Sequence, residues 1–320
     1  MAEITPVFQM TFQSNLSVKF SNGWNRTLKK LWWQLLAVTQ QSNTLKEAYE
    51  WMLETAQIRS TGSKGAELEF EDLVAQSFEI TNENFGDGLR LSRNSIEDNK
   101  YDRAAQWSAQ VGSAAAFWPQ RQLVTLIQNG KVGKSYDGAP FFSASHPVNP
   151  FDASLGNYSN LFTALPLTSA NVAEAVSRIS QIKHPGDAPR YLEPEILVVD
   201  PSKRLAALEI TGAEVITDPL NATQGAPATN MIKTGYSLGQ PIVIPEFGNE
   251  PGVWYLGCKA DQDALNGAFL YQERKPFELT SYVGATQADL DRLNVFEWHL
   301  RGRNAAAYGH PYLFFRCEPT

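Results

Sequence analysis

Ser135-Tyr136-Asp137-Gly138-Ala139-Pro140-Phe141-Phe142-Ser143-Ala144-Ser145-His146-Pro147 joins a turn to a pair of aromatic rings. Asp137-Gly138 predicts a tight turn, because glycine accepts a positive φ and the aspartate side chain can bond back to the backbone. Pro140 and Pro147 stiffen the flanks of this loop. Phe141 and Phe142 between them need a common buried site. Two prolines and two phenylalanines in so short a loop predict a fixed joint between a long helix and the next part of the chain. His146 is expected to cap or pack the turn before Pro147.

Upstream of this loop the chain reads as a rod. Ser95, with Asp98 three residues on, is a capping-box-like start. Ala104, Trp107, Val111, Ala114 or Ala115, and Trp118 fall on one helical stripe. From Ser95 to Trp118 the rod is about 35 Å long at 1.5 Å per residue. Pro119 should kink or end it, since proline donates no amide hydrogen and clashes with the preceding turn. A second piece, Gln120 to Gln128, is closed by Asn129-Gly130.

Before the rod, Leu68-Glu69-Phe70-Glu71 alternates, Val74 to Ile80 stays extended, and Leu89 to Arg93 alternates again. The turn-rich Asn82 to Gly88 between them predicts a long projecting hairpin. A lone ribbon of that length is marginal, so it should lean on another molecule. Leu68, Phe70, Phe85, Leu89, Leu91 and Arg93 are its candidate intersubunit contacts. Ser60 to Gly65 reads as a flexible break. Leu28 to about Leu53 has helical spacing through Leu31, Leu35, Val38, Leu45 and Tyr49, with Trp32-Trp33 packed in a core. Residues 1 to about 27 are polar and poorly periodic, and predict either a loose tail or an arm that orders on a neighbouring copy.

Downstream, Ala170 to Ile182 is an amphipathic helix stopped by His184-Pro185-Gly186. Ile196 to Val199 is a short apolar strand feeding a helix from Ser202 to about Ile210, which implies a sheet with helices on it. Residues 211 to 235 read as surface loops. Ile242 to Pro245, Val253 to Leu256, Ala268 to Gln272, Leu279 to Val283, Val295 to Leu300 and Tyr312 to Arg316 read as strands.

The chain of 320 residues is 43% hydrophobic and 11% aromatic, enough for two subdomains with real cores. Its net charge of −7 argues against a dedicated nucleic-acid binder. No uncharged apolar run reaches the roughly 18 residues that span a bilayer, and Met1 to Gln13 lacks the pattern of a secretory signal. The Asn-x-Ser/Thr sites at Asn15, Asn25, Asn157 and Asn221 therefore carry no weight. Cys258 and Cys317, the only cysteines, predict two buried reduced thiols. Ser145, His146 and Asp137 could be imagined as a catalytic set, but no Gly-x-Ser-x-Gly elbow accompanies them. His184, His299 and His310 are too scattered for metal ligation. Asp261-x-Asp263 lacks the glycine and closing glutamate of a calcium loop. No catalytic, cofactor or metal residue is assigned.

The motif Tyr136-Asp137-Gly138-x-x-Phe141-Phe142-x-x-x-His146-Pro147 resembles the signature of Mu-like phage major head (capsid) proteins. Tyr49-Glu50-Trp51 resembles that family's Tyr-x-Trp, placed near the end of its first helix. Arg93-Asn94-Ser95-Ile96-Glu97-Asp98 resembles its junction between hairpin and long helix, and Trp254-Tyr255-Leu256 fits its closing region. Ser143-Ala144-Ser145 departs from the acidic or threonine-containing variants expected there.

The resemblance implies an α+β fold, the Hong Kong 97-type phage capsid fold. Its expected divisions are an N-terminal arm and first helix (1–59), an extended hairpin loop (60–93), and a spine helix with peripheral domain (94–165). An axial α/β domain (166–250) and a strand-rich closing segment (251–320) complete it. It further implies a shell of hexamers and pentamers of this chain around double-stranded genomic DNA held by weak non-specific contact. Scaffold, portal and decoration proteins are the other expected partners, with no membrane. The expected location is the virion, and the host bacterial cytoplasm during assembly. The alternatives are a cargo-packaging shell of the same fold, and a hydrolase or transferase with a site in the α/β region.

Overall fold

The computed structural model describes residues 6–52, 75–92, 94–95, 101–185, 188–217, 227–283 and 295–319. Its first half runs through α1 (Pro6–Leu28), β1 (Ala37–Gln41), β2 (Lys46–Met52), β3 (Ala75–Thr81), β4 (Glu83–Ser92) and α2 (Tyr101–Asn129). Short strands β5 (His146–Pro147), β6 (Asn157–Tyr158) and β7 (Leu161–Phe162) come next, then α3 (Ser169–Ser180), β8 (Ile196–Val199) and α4 (Arg204–Gly212). The remainder is β9 (Val215–Thr217), β10 (Pro227–Thr229), α5 (Met231–Gly235), β11 (Ile242–Val243), β12 (Trp254–Gly257), β13 (Phe269–Val283), β14 (Val295–Tyr308) and β15 (Phe314–Cys317).

Two sheets carry the architecture. One has the strand order β11-β8-β12-β15-β7, and the other β1-β13-β14-β4. In the five-stranded sheet both faces are covered. Ile196, Val198, Tyr255 and Phe314 point into one core, while Leu197, Val199, Trp254, Leu256 and Phe315 point into a second. That is why β8 and β12 read as unbroken apolar runs with no alternation. α3 covers the second core with Val172, Ala175, Val176 and Ile179, and Thr168 caps its start by accepting from the Asn171 amide. The four-stranded sheet is two-faced instead. Along β14, Phe296, Trp298 and Leu300 are buried, while Glu297, His299 and Arg301 between them are not fully covered.

The N-terminal stretch departs from its reading. Residues 6–28 form a helix packed on the same chain's α2, not an arm awaiting a neighbour. Leu16 lies against Ser108, Phe20 against Gly112, and Gly23 against Ala109 and Ser113, so the two helices run parallel. A methyl group at Gly23 would overlap the Ala109 carbonyl oxygen, and one at Gly112 the Phe20 carbonyl oxygen. The backbones themselves are in contact there. The buried stripe is narrow (Phe12, Leu16, Gly23, Thr27) and half of it is glycine and threonine, so it does not register as apolar periodicity.

Four further readings are corrected. Leu28 to Leu53 is not a helix: it holds a 3-10 turn at Trp33–Leu35, then β1 and β2. β-Branched Val38 and Thr39 suit a strand pairing in parallel with β13, and Trp33 is buried in the core as expected. Tyr49 and Trp51 accordingly stand on a strand, where Tyr49 pairs with Phe78 and Trp51 with Gln76. Asn82 to Gly88 is not a hairpin turn. The bend is at Asn82 alone, whose side-chain amide donates to Ser42 Oγ and the Thr44 carbonyl, and Glu83 onward is already β4, paired along its length with β14. The antiparallel ribbon is β2 with β3. Its connection, and with it Leu68, Phe70 and Ser60 to Gly65, lies outside the described residues.

The helix also runs on through Pro119 to Asn129. Losing one backbone bond to proline costs about 3 kcal/mol. Leu123, Val124 and Ile127 beyond it are buried in the main core, and that burial outweighs the loss. Residues 96–100, which hold the capping-box reading at Asp98 and most of the Arg93-to-Asp98 motif, lie outside the described residues. Finally, 211–235 is not all loop, since β9 and β10 pair antiparallel and α5 comes after them, capped by Asn230.

Candidate functional site

The Tyr136-to-Pro147 motif lies where α2, both sheets and the chain's end converge. Gly138 has φ +80°, and Asp137 Oδ1 accepts from the Ala139 amide at 3.1 Å. The turn is closed by Gly138 N to Ser135 O and Ser135 N to Ala139 O. It returns the chain onto the end of α2, where the Phe141 and Phe142 amides donate to the carbonyls of Gly133 and Gly130. A side chain at Gly130 would overlap the Phe142 ring.

The two phenylalanines divide the junction between them. Phe141, fully buried, stacks on Tyr308 at 4.7 Å and lies 5.2 Å from Phe269. Those residues end β14 and begin β13, and are paired in register. Phe142 faces the other sheet, 5.7 Å from Tyr255 and 6.0 Å from Phe314. Leu123 and Ile127 of α2 complete the same core. One dipeptide thus touches the long helix and both sheets, which is the geometry of a joint.

His146 is fully buried. Its Nδ1 meets Asp137 Oδ2 at 2.6 Å, its Nε2 meets the Phe141 carbonyl at 3.2 Å, and its ring stacks on Tyr158. Both nitrogens are therefore occupied by acceptors. Ser145 Oγ instead accepts from Asn157 Nδ2 at 2.8 Å, so Asp137 and His146 converge and Ser145 does not join them as a nucleophile. Pro147 pairs with Asn157 across β5 and β6. The Tyr136 ring meets His310 edge-on at 5.9 Å. His310 is driven down to about 3 by burial and by the nearby Arg190 guanidinium. Arg190 lies 3.8 Å over the Tyr312 ring.

Two buried polar residues that sequence reading passed over hold the joint in register. Asn160 donates to the carbonyls of Phe141 (2.6 Å), Pro311 (3.1 Å) and Phe314 (3.3 Å), and accepts from the Ser143 amide. Arg316, 2% exposed, reaches Tyr255 OH and Glu250 Oε2 at 2.8 Å and Glu318 Oε1 at 2.7 Å. Lys131, just past α2, pairs with the same Glu318. Burial pushes Glu318 up, but Lys131 and Arg316 outweigh it and hold the carboxylate below its usual range. A lone cation inside Tyr312-Leu313-Phe314-Phe315-Arg316-Cys317 was the available signal, because buried arginine is almost always paired. Asn160 offered none.

The ribbon candidates fall elsewhere. Phe85 packs on Trp118 of α2 at 4.7 Å. Leu89 and Leu91 pack with Phe12, Leu16, Phe296 and Trp298. All three face the protein's own helices, while Arg93 lies outside the described residues. Cys258 and Cys317 are buried and unbonded, and burial raises the thiol pKa of both. Among the described residues no cluster of His, Cys, Asp and Glu could hold a metal. No described helix is long and apolar enough to cross a membrane.

An α+β chain of this build matches solved shells across most of its length. The likeness to the bacteriophage JBD30 procapsid covers 98% of this chain and 75% of that protein, at TM-score 0.55 and 18% identity. For the capsid of cyanophage P-SCSP1u the shares are 88% and 86%, with TM-score 0.53 and 12% identity. For the virus-like particle of Pyrococcus furiosus they are 94% and 96%, with TM-score 0.51 and 9% identity. The fold is the Hong Kong 97-type capsid fold. Residues 9–165 match the family described as Mu-like prophage major head subunit gpT. The major capsid protein of Escherichia phage Mu is 27% identical over 149 residues, 44% of this chain. Over residues 9–165, just under half of its length, the chain is similar to the Mu-like major head subunit family. The match spans about half of that curated relative's length (48%).

Proposed function

We propose that this chain is the structural subunit of a phage or prophage head, assembling with copies of itself into a closed icosahedral shell around double-stranded DNA. The observation that carries the proposal is the fully buried junction at Phe141, Phe142 and Asn160. It welds a long helix and two sheets into one plate, in a family and a fold whose matching members are capsid proteins. The joint is built for rigidity and not for turnover: its one Asp–His pair is sealed from solvent and its serine points elsewhere. Hexamers and pentamers, a scaffold, a portal and decoration proteins belong to this reading, as does a virion location reached from the host cytoplasm. The residue divisions at 59, 93, 165 and 250 are carried with it. So is a contact role between copies for the 68–93 region, on the face of β4 opposite Phe85, Leu89 and Leu91.

Size-exclusion chromatography with electron microscopy of the purified chain tests this. Closed shells, or ring-shaped capsomers, are expected. A small soluble oligomer that hydrolyses or transfers a group would replace the reading with an enzyme. Native particles that hold protein cargo and no DNA would replace it with a packaging shell of the same fold.

A further inference from the structure

The net charge of −7 conceals a segregation. No acidic residue stands between Glu3 and Glu47, while Lys19, Arg26, Lys29, Lys30 and Lys46 fall between them. The rest of the chain therefore carries −12, which is −7 less +5. Four of those cations sit on α1 or the turn that ends it.

Their placement on the helix is ordered. Asn15, Lys19, Asn22 and Arg26 recur at i, i+4, i+7 and i+11, which puts them on one stripe about 16 Å long. Lys30 extends it past the helix end. All five are exposed, beside the buried line of Phe12, Leu16, Gly23 and Thr27 that rests on α2. Every side chain in the stripe carries hydrogen-bond donor groups, and none of its cations is paired with a described carboxylate. Cations in a last helical turn are ordinarily explained by the helix dipole. That account covers Arg26 and its successors but not Lys19, two turns earlier. An acid-free donor stripe with uncompensated charge is the pattern that neutralises a row of phosphates without reading bases.

We infer that the Asn15–Lys19–Asn22–Arg26–Lys30 stripe of α1, with the adjoining exposed Lys29, is a sequence-independent contact surface for the phosphate backbone of double-stranded DNA. This rests on the shell reading above and names the face of the subunit that meets the enclosed polyanion. A stripe this short gives weak binding per copy, and many copies on one surface add up.

The test is duplex binding by the purified full chain, measured by fluorescence anisotropy with a random-sequence 30-base-pair DNA across a salt series. The comparison is with a variant carrying Lys19→Gln, Arg26→Gln, Lys29→Gln and Lys30→Gln. A control carries Arg204→Gln, Lys233→Gln, Lys259→Gln and Lys275→Gln, an equal loss of charge elsewhere. The log affinity of the parent should fall with log salt. Its slope should shrink by about 3–4 in the α1 variant, at roughly 0.9 per cation removed, and by far less in the control. If the fourfold variant loses its helical signal, Lys19→Gln and Arg26→Gln singly should each reduce the slope by about 1. An unchanged slope in the α1 variants, or an equal reduction in the control, overturns the inference. So does an α1 variant that binds DNA normally but no longer forms shells, which would make the stripe a contact between copies. So does loss of binding to polyglutamate alone, which would make the partner an acidic protein. If the parent chain forms no shells at all, the shell reading fails, and the slope comparison still decides this surface.

Discussion

Phe141 shows how much one side chain can decide. Its ring is fully buried among Tyr308, Phe269 and Phe142, so Phe141→Ala removes the joint's packing on the four-stranded sheet and the support of the neighbouring Phe142 ring. A loss of about 3–5 kcal/mol in urea unfolding is expected, and a loss under about 1 kcal/mol would place the ring outside the joint. Ser145→Ala should change stability by less than about 0.5 kcal/mol, because Ser145 is exposed and holds only Asn157. The turn at Asp137-Gly138 and the burial of the two phenylalanines were legible in the sequence, since glycine, proline and aromatic chemistry act locally. The anchor at Asn160 was not. Its four partners come from Phe141, Ser143, Pro311 and Phe314, and only the closed fold brings them within reach.

At the scale of elements, reading by pattern succeeded where a face or a whole short run was apolar and failed where small residues made the contact. α3 and β8 declare themselves through Val172, Val176 and Ile179, and through Ile196 to Val199. The α1–α2 pair does not, because its closest approach is made by Gly23 and Gly112. Gly23→Ala or Gly112→Ala should each cost about 1–3 kcal/mol by forcing the backbones apart. Deleting residues 2–25 should destabilise the isolated chain and not merely the particle, since Val111, Ala115 and Phe296 would lose their cover. Hydrogen exchange in free subunits is the check: amides at 12–27 should be protected, and fast exchange there would return α1 to the status of a loose arm. β4 was misread for a related reason. Asn84, Gly86, Asp87 and Gly88 are turn formers by composition, yet the long strand β14 pairs with each of them, and tertiary pairing overrides the local preference.

For the molecule as a whole, the joint makes stability depend on pH in one direction. His310 has its pKa lowered from an ordinary 6.5 to about 3 by burial and Arg190, so the unfolded chain binds the extra proton first. Stability from this group is full above 6.5 and is lost as pH falls toward 3. Glu318, held low by Lys131 and Arg316 against the effect of burial, loses its contribution in the same acidic direction. His310→Gln should therefore show a shallower loss of stability between pH 6.5 and pH 4 than the parent, measured by urea midpoints. An identical pH profile would show that the ring takes its proton inside the fold. The most direct test of the central claim is an electron cryo-microscopy reconstruction of the particles this chain forms. The account predicts a closed icosahedral shell in which each subunit's residues 6–28 lie helical along its own α2 and the Phe141–Phe142 joint is intact. Discrete small oligomers, or residues 6–28 crossing to a neighbouring subunit, would contradict it.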